Sequence, residues 1–327
     1  MNRFGRLFSV TIFGESHGTG AGAVLDGVPP GISLVPGDFR EDMERRRSGA
    51  AGTTPRKEPD VPEIMSGVFE DRTTGAPLTL FIRNTNVRSR DYSKLKDIPR
   101  PGHADFVAMK KYRGFADYRG GGHFSGRLTA ALVAAGVIAK KILSGVTVQA
   151  KLLEAGGSKD IQKAVQQALE EKDSVGGLIE CRVNGLPVGL GEPFFDSVES
   201  LLSHAVFAIP AIRGIEFGTG FRAAAMRGSQ HNDPITDLSG KTATNHAGGV
   251  NGGITNGNEL VFRIAVKPTS SIGKKQHTLN MKTGVMEDLL IEGRHDACIA
   301  LRVPPVLEAV TAIVLADLWL INKAYGG

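Results

Sequence analysis

Two long apolar stretches, Leu128–Leu143 and Val303–Ile321, constrain this chain more than any other feature. Both are too long for ordinary strands. The first carries Lys140 and Lys141 and the second Glu308 and Asp317, charges that a bilayer core would exclude. Both therefore read as buried helices of a soluble protein rather than membrane spans. Ser125 is placed to N-cap the first, and Pro304 with Pro305 start the second, which runs to about Ile321. Each follows a segment containing Gly, Arg and His, which hints at a two-fold internal pseudo-repeat.

The remaining pattern mixes strands and helices. Phe8, Val10 and Ile12 alternate with Ser9 and Thr11, so an opening strand is expected, stopping at the turn-rich Gly14–Gly18. Gly22–Val28, Pro77–Ile82, Val146–Glu154, Gly177–Val183 and Glu259–Val266 are apolar stretches of strand length. Phe39–Arg47 predicts a short helix ending in three arginines. Ile161, Ala164, Val165, Ala168 and Leu169 share one helical face behind a Ser158 cap. Asp196 with Glu199 forms a capping-box pattern before a helix over Val198–Ala208. Ser48–Pro62 and the Gly-rich Asn245–Gly257 read as loops. No linker divides the chain, so one large domain over 1–327 is expected.

Glycine is the compositional anomaly: 42 of 327 residues, nearly double the usual ~7%, with no collagen period. The basic excess is equally uneven. Residues 1–127 hold 20 Lys and Arg against 15 Asp and Glu, and residues 128–327 hold 19 against 19. Backbone N–H groups beside guanidinium forks suggest a site for an anion. Cys181 and Cys298 make no disulfide framework, and neither CxxC nor HExxH spacing occurs, so no metal site is expected. The start has no apolar signal region; a reduced cytoplasmic protein is the default.

Several clusters carry the polar chemistry. In Gly14-Glu15-Ser16-His17-Gly18, adjacent Ser and His on an extended chain would point apart, so a Ser–His nucleophile is rejected. In Arg100-Pro101-Gly102-His103-Ala104-Asp105, a Pro-Gly turn presents an imidazole with Asp105 nearby to orient it. In Arg119-Gly120-Gly121-Gly122-His123-Phe124-Ser125-Gly126-Arg127, glycines precede a helix start where an anion can meet the backbone, Ser125 and Arg127. It is neither a P-loop nor a dinucleotide GxGxxG. Arg45-Arg46-Arg47, Lys267-Pro268-Thr269-Ser270-Ser271 and Gly293-Arg294-His295-Asp296 add cations, hydroxyls and an acid.

Together these segments resemble the chorismate synthase family. The resemblance lies in GESHGTGAGAVLDGVPPG (14–31), RRRSG (45–49), RPGHAD (100–105), DYRGGGHFSGR (117–127), NHAGGVNGGI (245–254), KPTSSI (267–272) and GRHDAC (293–298), in the family's order. It implies an α+β fold: a β-α-β sandwich, one large domain with a pseudo-two-fold arrangement and long Gly-rich active-site loops, assembled as a homotetramer. The implied reaction converts 5-enolpyruvylshikimate 3-phosphate to chorismate and phosphate by a 1,4-anti elimination without net redox change. Reduced FMN is the implied cofactor, kept reduced through NADPH or an external flavin reductase. By position, His17 would protonate the departing phosphate, His103 would protonate or stabilise the reduced flavin, and Ser16 with Asp296 would relay a proton from flavin N5. Arg46 or Arg47, Arg127 and Arg294 would bind the substrate's anionic groups. His123, Phe124, Ser125, Gly252, Lys267, Pro268, Thr269, Ser270, Ser271 and Arg294 would hold FMN. The chain departs from the family at His123 and Ala116, where arginines are common, and in lacking an arginine between Arg47 and Arg56. Two other classes fit the composition less well: a flavin- or anion-binding paralogue without turnover, and a nucleic-acid-binding protein. Aromatics make up only 6% of the chain and none interleave the arginine run, so no nucleic-acid or membrane partner is expected.

Overall fold

The computed structural model describes residues 2–49, 51–54, 58–86, 95–291 and 295–326. Its architecture is α+β. Strands β1 (Arg3–Phe4), β2 (Ser9–Gly14), β3 (Gly20–Asp26), β4 (Glu63–Ser66) and β7 (Leu78–Arg83) form a five-stranded sheet in the order β1-β2-β3-β7-β4, antiparallel throughout. A second antiparallel sheet orders β10 (Ile212–Phe217), β13 (Leu260–Val266), β9 (Gly177–Asn184) and β8 (Thr147–Ala155). Small hairpins β5–β6 (Val68–Phe69, Arg72–Thr73), β11–β12 (Val250–Asn251, Ile254–Thr255) and β14–β15 (Gln276–Leu279, Met286–Leu289) complete the strands. The helices are α1 (Arg40–Arg46), α2 (Asp105–Lys111), α3 (Thr129–Ile142), α4 (Ile161–Glu170), α5 (Val198–Val206), α6 (Gly228–His231) and α7 (Val303–Ala324).

The two apolar stretches are α3 and α7. Helix α3 lies on the first sheet through β3 and β7, α7 lies on the second through β8 and β9, and the helices pack on each other. At their crossing a Cβ on Gly136 would lie 2.3 Å from Ala309 Cβ and 2.5 Å from Ala309 Cα. The sheets supply alternating partners: Leu78, Leu80 and Ile82 from β7, Ile179, Cys181 and Val183 from β9, all buried. Within the first sheet Phe13, Gly22 and Phe81 are cross-strand neighbours. The Phe13 and Phe81 rings stack at 6.4 Å over space that a side chain on Gly22 would fill.

The acids of α7 anchor rather than break it. The run Ile299–Ala324 is long and apolar enough to cross a bilayer, yet it is mostly buried inside the protein. Asp317 accepts the backbone N–H groups of Arg6, Leu7 and Phe8 at 3.0, 2.8 and 2.9 Å, which holds the chain leading into β2. Glu308 takes both ends of the Arg45 fork at 2.7 and 2.6 Å and the Ala150 N–H at 2.9 Å. Burial pushes the Glu308 carboxyl up, but these bonds and the Lys140 charge outweigh it and hold it below its ordinary value.

Two helix caps differ from expectation. Helix α4 is capped by Asp160, which accepts the Lys163 N–H, while Ser158 Oγ accepts the Asp160 N–H one step earlier. Helix α5 is capped by Ser197 through the Ser200 N–H, and Asp196 instead pairs with Arg6. In each case the residue next to the first helical turn has the geometry to reach it.

Candidate active site

The site is built at the far end of β2. Beyond Gly14 the chain turns, with Gly18 N–H donating to Glu15 O at 3.2 Å and the Asn84 amide donating to Glu15 O and Gly18 O at 3.0 and 2.9 Å. Ser16 N–H donates to Gly122 O at 3.1 Å, docking this turn on the glycine run. Gly120 has φ +59°, and a Cβ there would lie 2.5 Å from His17 Cδ2 and 2.8 Å from Ser16 Oγ. The expectation that Ser16 and His17 point apart is therefore corrected: the segment is a turn, and both side chains face Gly120. Both are nearly excluded from solvent.

The next glycine serves the second imidazole. A Cβ on Gly121 would lie 3.3 Å from His103 Cε1. His103 Nδ1 is 2.6 Å from Asp105 Oδ1, as the Pro-Gly turn predicts. Arg100 grips the same carboxylate with Nε and Nη2 at 2.7 and 2.8 Å. Burial pushes the Asp105 carboxyl up, but the Arg100 and His103 hydrogen bonds and charges hold it well below the usual carboxylate range. Arg100 Nη1 also donates to Ser271 Oγ at 3.0 Å, while Lys267 Nζ and Ser270 Oγ donate to Gly102 O at 3.1 and 2.8 Å. The 267–271 segment is thus fastened to the His103 loop. Desolvation, then the Arg213 charge, lower the Lys267 ammonium from its ordinary value.

In front of the glycines lies a cleft lined by Ser16, Arg46, Arg47, Ser125, Arg127 and Asp296, together with Thr269, Ser271 and Arg302. The starts of both long helices open onto it. Ser125 Oγ accepts the Arg127 N–H at 3.3 Å, capping the turn that leads into α3. Arg302, Val303 and Val306 bring in the first turn of α7. Two positive helix ends therefore face the same space.

Two of the cleft's arginines are shut off from solvent. Arg46 and Arg127 are buried, and both donate to Asp60, itself only 4% exposed. Arg46 further donates to Thr129 Oγ1 at 3.0 Å and to the carbonyls of Gly126 and Arg127 at 3.2 and 3.3 Å. Arg127 adds Asn84 Oδ1 at 2.8 Å and Arg83 O at 3.1 Å. Burial, then the Arg302 charge, lower the Arg46 guanidinium to about 9; Asp60 opposes this and Arg127 adds to it. Arg47 donates to Pro59 O.

Other expected residues spread around this centre. His103 and Phe124 line a second cavity behind the glycines, with Asp105 and Tyr118. His123 meets Gly14 O at 2.8 Å and Asn2 Oδ1 at 3.1 Å and opens onto a third, more apolar cavity. That cavity shares Ser125, Thr129 and Pro210 with the cleft. Pro268 and Gly252 are not among the cleft's lining residues; Gly252 sits in the turn of the β11–β12 hairpin with open space where a Cβ would lie. Arg294 lies outside the described residues. Sequence reading missed Asp60, Asn84 and Arg302, and named Arg100 in its cluster without giving it a role. Arg302 had a signal, a cation at the positive end of an apolar helix; the loop residue Asp60 had none.

A family model described as chorismate synthase matches residues 8–320. A chorismate synthase of Chitinophaga pinensis is 66% identical over 324 residues, covering 99% of this chain and 98% of its own. One of Methanocaldococcus jannaschii is 44% identical over 365 aligned positions, covering 98% and 96%. A crystal structure of a chorismate synthase aligns with TM-score 0.76 at 28% identity, over 99% of this chain and 94% of that one. The chain belongs to the chorismate synthase family, lyases of the shikimate pathway that convert 5-enolpyruvylshikimate 3-phosphate to chorismate and phosphate.

Proposed function

We propose that the cleft in front of Gly120 is where this chain carries out that elimination. The observation carrying this is the glycine run: Gly120 packs on His17 and Ser16 while Gly121 packs on His103. Of the four candidate proton-handling groups, Ser16 and Asp296 line the cleft itself, while His17 and His103 pack on its glycine wall without being among the lining residues. Loss of a phosphate dianion needs a proton for its oxygen and positive charge around it. His17 delivers that proton at the bridging oxygen. Arg127, Arg47 and the two helix starts neutralise the leaving group and the substrate carboxylates. Arg46 supports them from beneath, holding the Gly126 and Arg127 carbonyls. Ser16 and Asp296, which both line the cleft, carry away the proton lost from C6.

The family requires reduced flavin, and the residues fit reduced FMN. Thr269 Oγ1 is shielded from solvent without a hydrogen-bond partner, in the cleft beside Ser271 and Ser125. These hydroxyls, with Lys267–Ser271, would hold the cofactor, and His103 with Asp105 would face it across Gly121. When bound, it supplies electron density that assists phosphate departure.

The wider reading is one domain over 1–327, a β-α-β sandwich whose halves each pair an antiparallel sheet with one long apolar helix. It works in the cytoplasm as a homotetramer, fed by NADPH or an external flavin reductase. The exposed rings of Phe194, Phe195 and Phe221 support assembly, which light scattering measures. The functional test is anaerobic incubation with reduced FMN and 5-enolpyruvylshikimate 3-phosphate, following chorismate absorbance and phosphate. His17→Ala should lose most turnover yet keep much of its flavin binding. Near-wild-type turnover in that variant would sink the assignment.

A further inference from the structure

We infer that Arg302 binds an anionic group of the substrate in the cleft and positions Asp296 for it. This rests on the cleft being the reaction site. Arg302 stands at the N-cap of α7, where the macrodipole disfavours a cation. An arginine kept there needs local compensation, and the structure supplies little. Its Nε donates to Arg46 O at 3.1 Å, and its Nη1 stands 3.5 Å from Asp296 Oδ1. A charge-assisted bond is normally about 2.7–2.9 Å, so this contact is loose. Asp296 Oδ1 meanwhile takes the Thr54 N–H at 2.9 Å.

The neighbouring arginines are occupied differently. Arg45 is clamped by Glu308, and Arg46 and Arg127 are held by Asp60 and several oxygens. Among the described residues, the Nη atoms of Arg302 meet only the distant Asp296 oxygen. The side chain is 21% exposed and lines the cleft. The unpartnered Thr269 hydroxyl in the same cleft indicates that a polar ligand enters this space. A phosphate or carboxylate reaching Arg302 would take its free fork, while the Nε bond keeps the guanidinium in place. Held there, Arg302 keeps Asp296, 3.5 Å from its Nη1, beside the bound anion, which couples anion binding to the acid that handles the proton.

Arg302→Met and Arg302→Lys, in the full chain with reduced FMN under anaerobic conditions, test this. Loss of a charge-assisted fork should raise the KM for 5-enolpyruvylshikimate 3-phosphate roughly 10- to 100-fold in Arg302→Met. Arg302→Lys, with charge but no fork, should lie between. Both should also show a smaller thermal shift on titration with inorganic phosphate. A folded Arg302→Met with KM within about threefold of wild type overturns the inference, as does a lowered unfolding midpoint with unchanged KM. If Arg302→Met does not fold, Arg302→Lys decides: raised KM supports the role and unchanged KM overturns it. His17→Ala run alongside separates the two readings. Lost turnover there with unchanged KM in the Arg302 variants defeats Arg302 alone, whereas retained turnover in His17→Ala defeats the cleft.

Discussion

Asp60 is the residue whose replacement most directly tests how the cleft is held. Its carboxylate meets Arg46 Nη1 at 2.8 Å with one oxygen and Arg127 Nη1 with the other. All three side chains are nearly solvent-free, at 4%, 2% and 5% exposure. Asp60→Asn keeps the shape and tolerates the positive φ of +51°, but leaves two buried guanidiniums facing a neutral amide. Breaking a buried ion pair by removing one partner costs about 3–5 kcal/mol. Here one carboxylate serves two cations, which argues for the upper end. The cations keep Thr129, Asn84 and three backbone carbonyls, which argues against doubling it. About 4 kcal/mol follows, a large part of a typical stability of 5–15 kcal/mol.

Urea unfolding followed by circular dichroism and by the fluorescence of Trp319, on α7, measures the loss. The slope should be unchanged and the midpoint lower. A second signature separates lost charge from lost shape. Both arginines line the cleft, so sulfate or phosphate should recover part of the stability of Asp60→Asn by binding its folded form. A loss below about 1 kcal/mol with an unchanged slope would refute the reasoning. It would mean that the surrounding oxygens, not Asp60, carry the cost of burying the guanidiniums.

Three further outcomes are expected. Gly120→Ala puts a methyl 2.5 Å from His17 Cδ2 at a left-handed backbone position; displacing that ring should lower kcat about 100-fold, and steady-state kinetics on folded variant checks it. Asp105→Asn should destabilise the protein near pH 7. Because the folded Asp105 carboxyl sits below its ordinary value, its contribution is full above the unfolded value near ~4 and fades as pH falls through the folded one. The gap between variant and wild type in thermal unfolding should therefore narrow at about pH 3 relative to pH 7; a constant gap would contradict the ion-pair reading. Gly136→Ala meets backbone at Ala309, so the helices must separate, at a cost of at least 1–3 kcal/mol in urea unfolding.

Most elements were legible because each states itself locally. The alternation in Phe8–Ile12 finds β2, and the unbroken apolar runs find α3 and α7. Caps were less legible because Ser158, Lys159 and Asp160 offer two side chains of equal propensity two residues apart, and only backbone geometry chooses between them. The glycine run was legible as a place where something approaches the backbone closely. What approaches it was not: two of its glycines accommodate His17, Ser16 and His103, which join the run from distant segments.

The arginines show where local reading stops. Arg45, Arg46 and Arg47 are consecutive and chemically identical, yet they end on Glu308, Asp60 and the Pro59 carbonyl. Glu308 lies on α7 and Asp60 in a loop, 263 and 14 residues from their partners. No periodicity within the run distinguishes a guanidinium spent on the interior from one kept for a ligand, because the choice belongs to the carboxylates that tertiary folding delivers. Arg302, which the sequence reading passed over, carries a signal of the opposite kind. Its position at the start of α7 opposes a field set by its own helix, so the conflict is visible without knowing its neighbours. A charge that opposes its local field carries more information about a site than a cluster whose charges agree with theirs, since the former persists only where something beyond the helix compensates it.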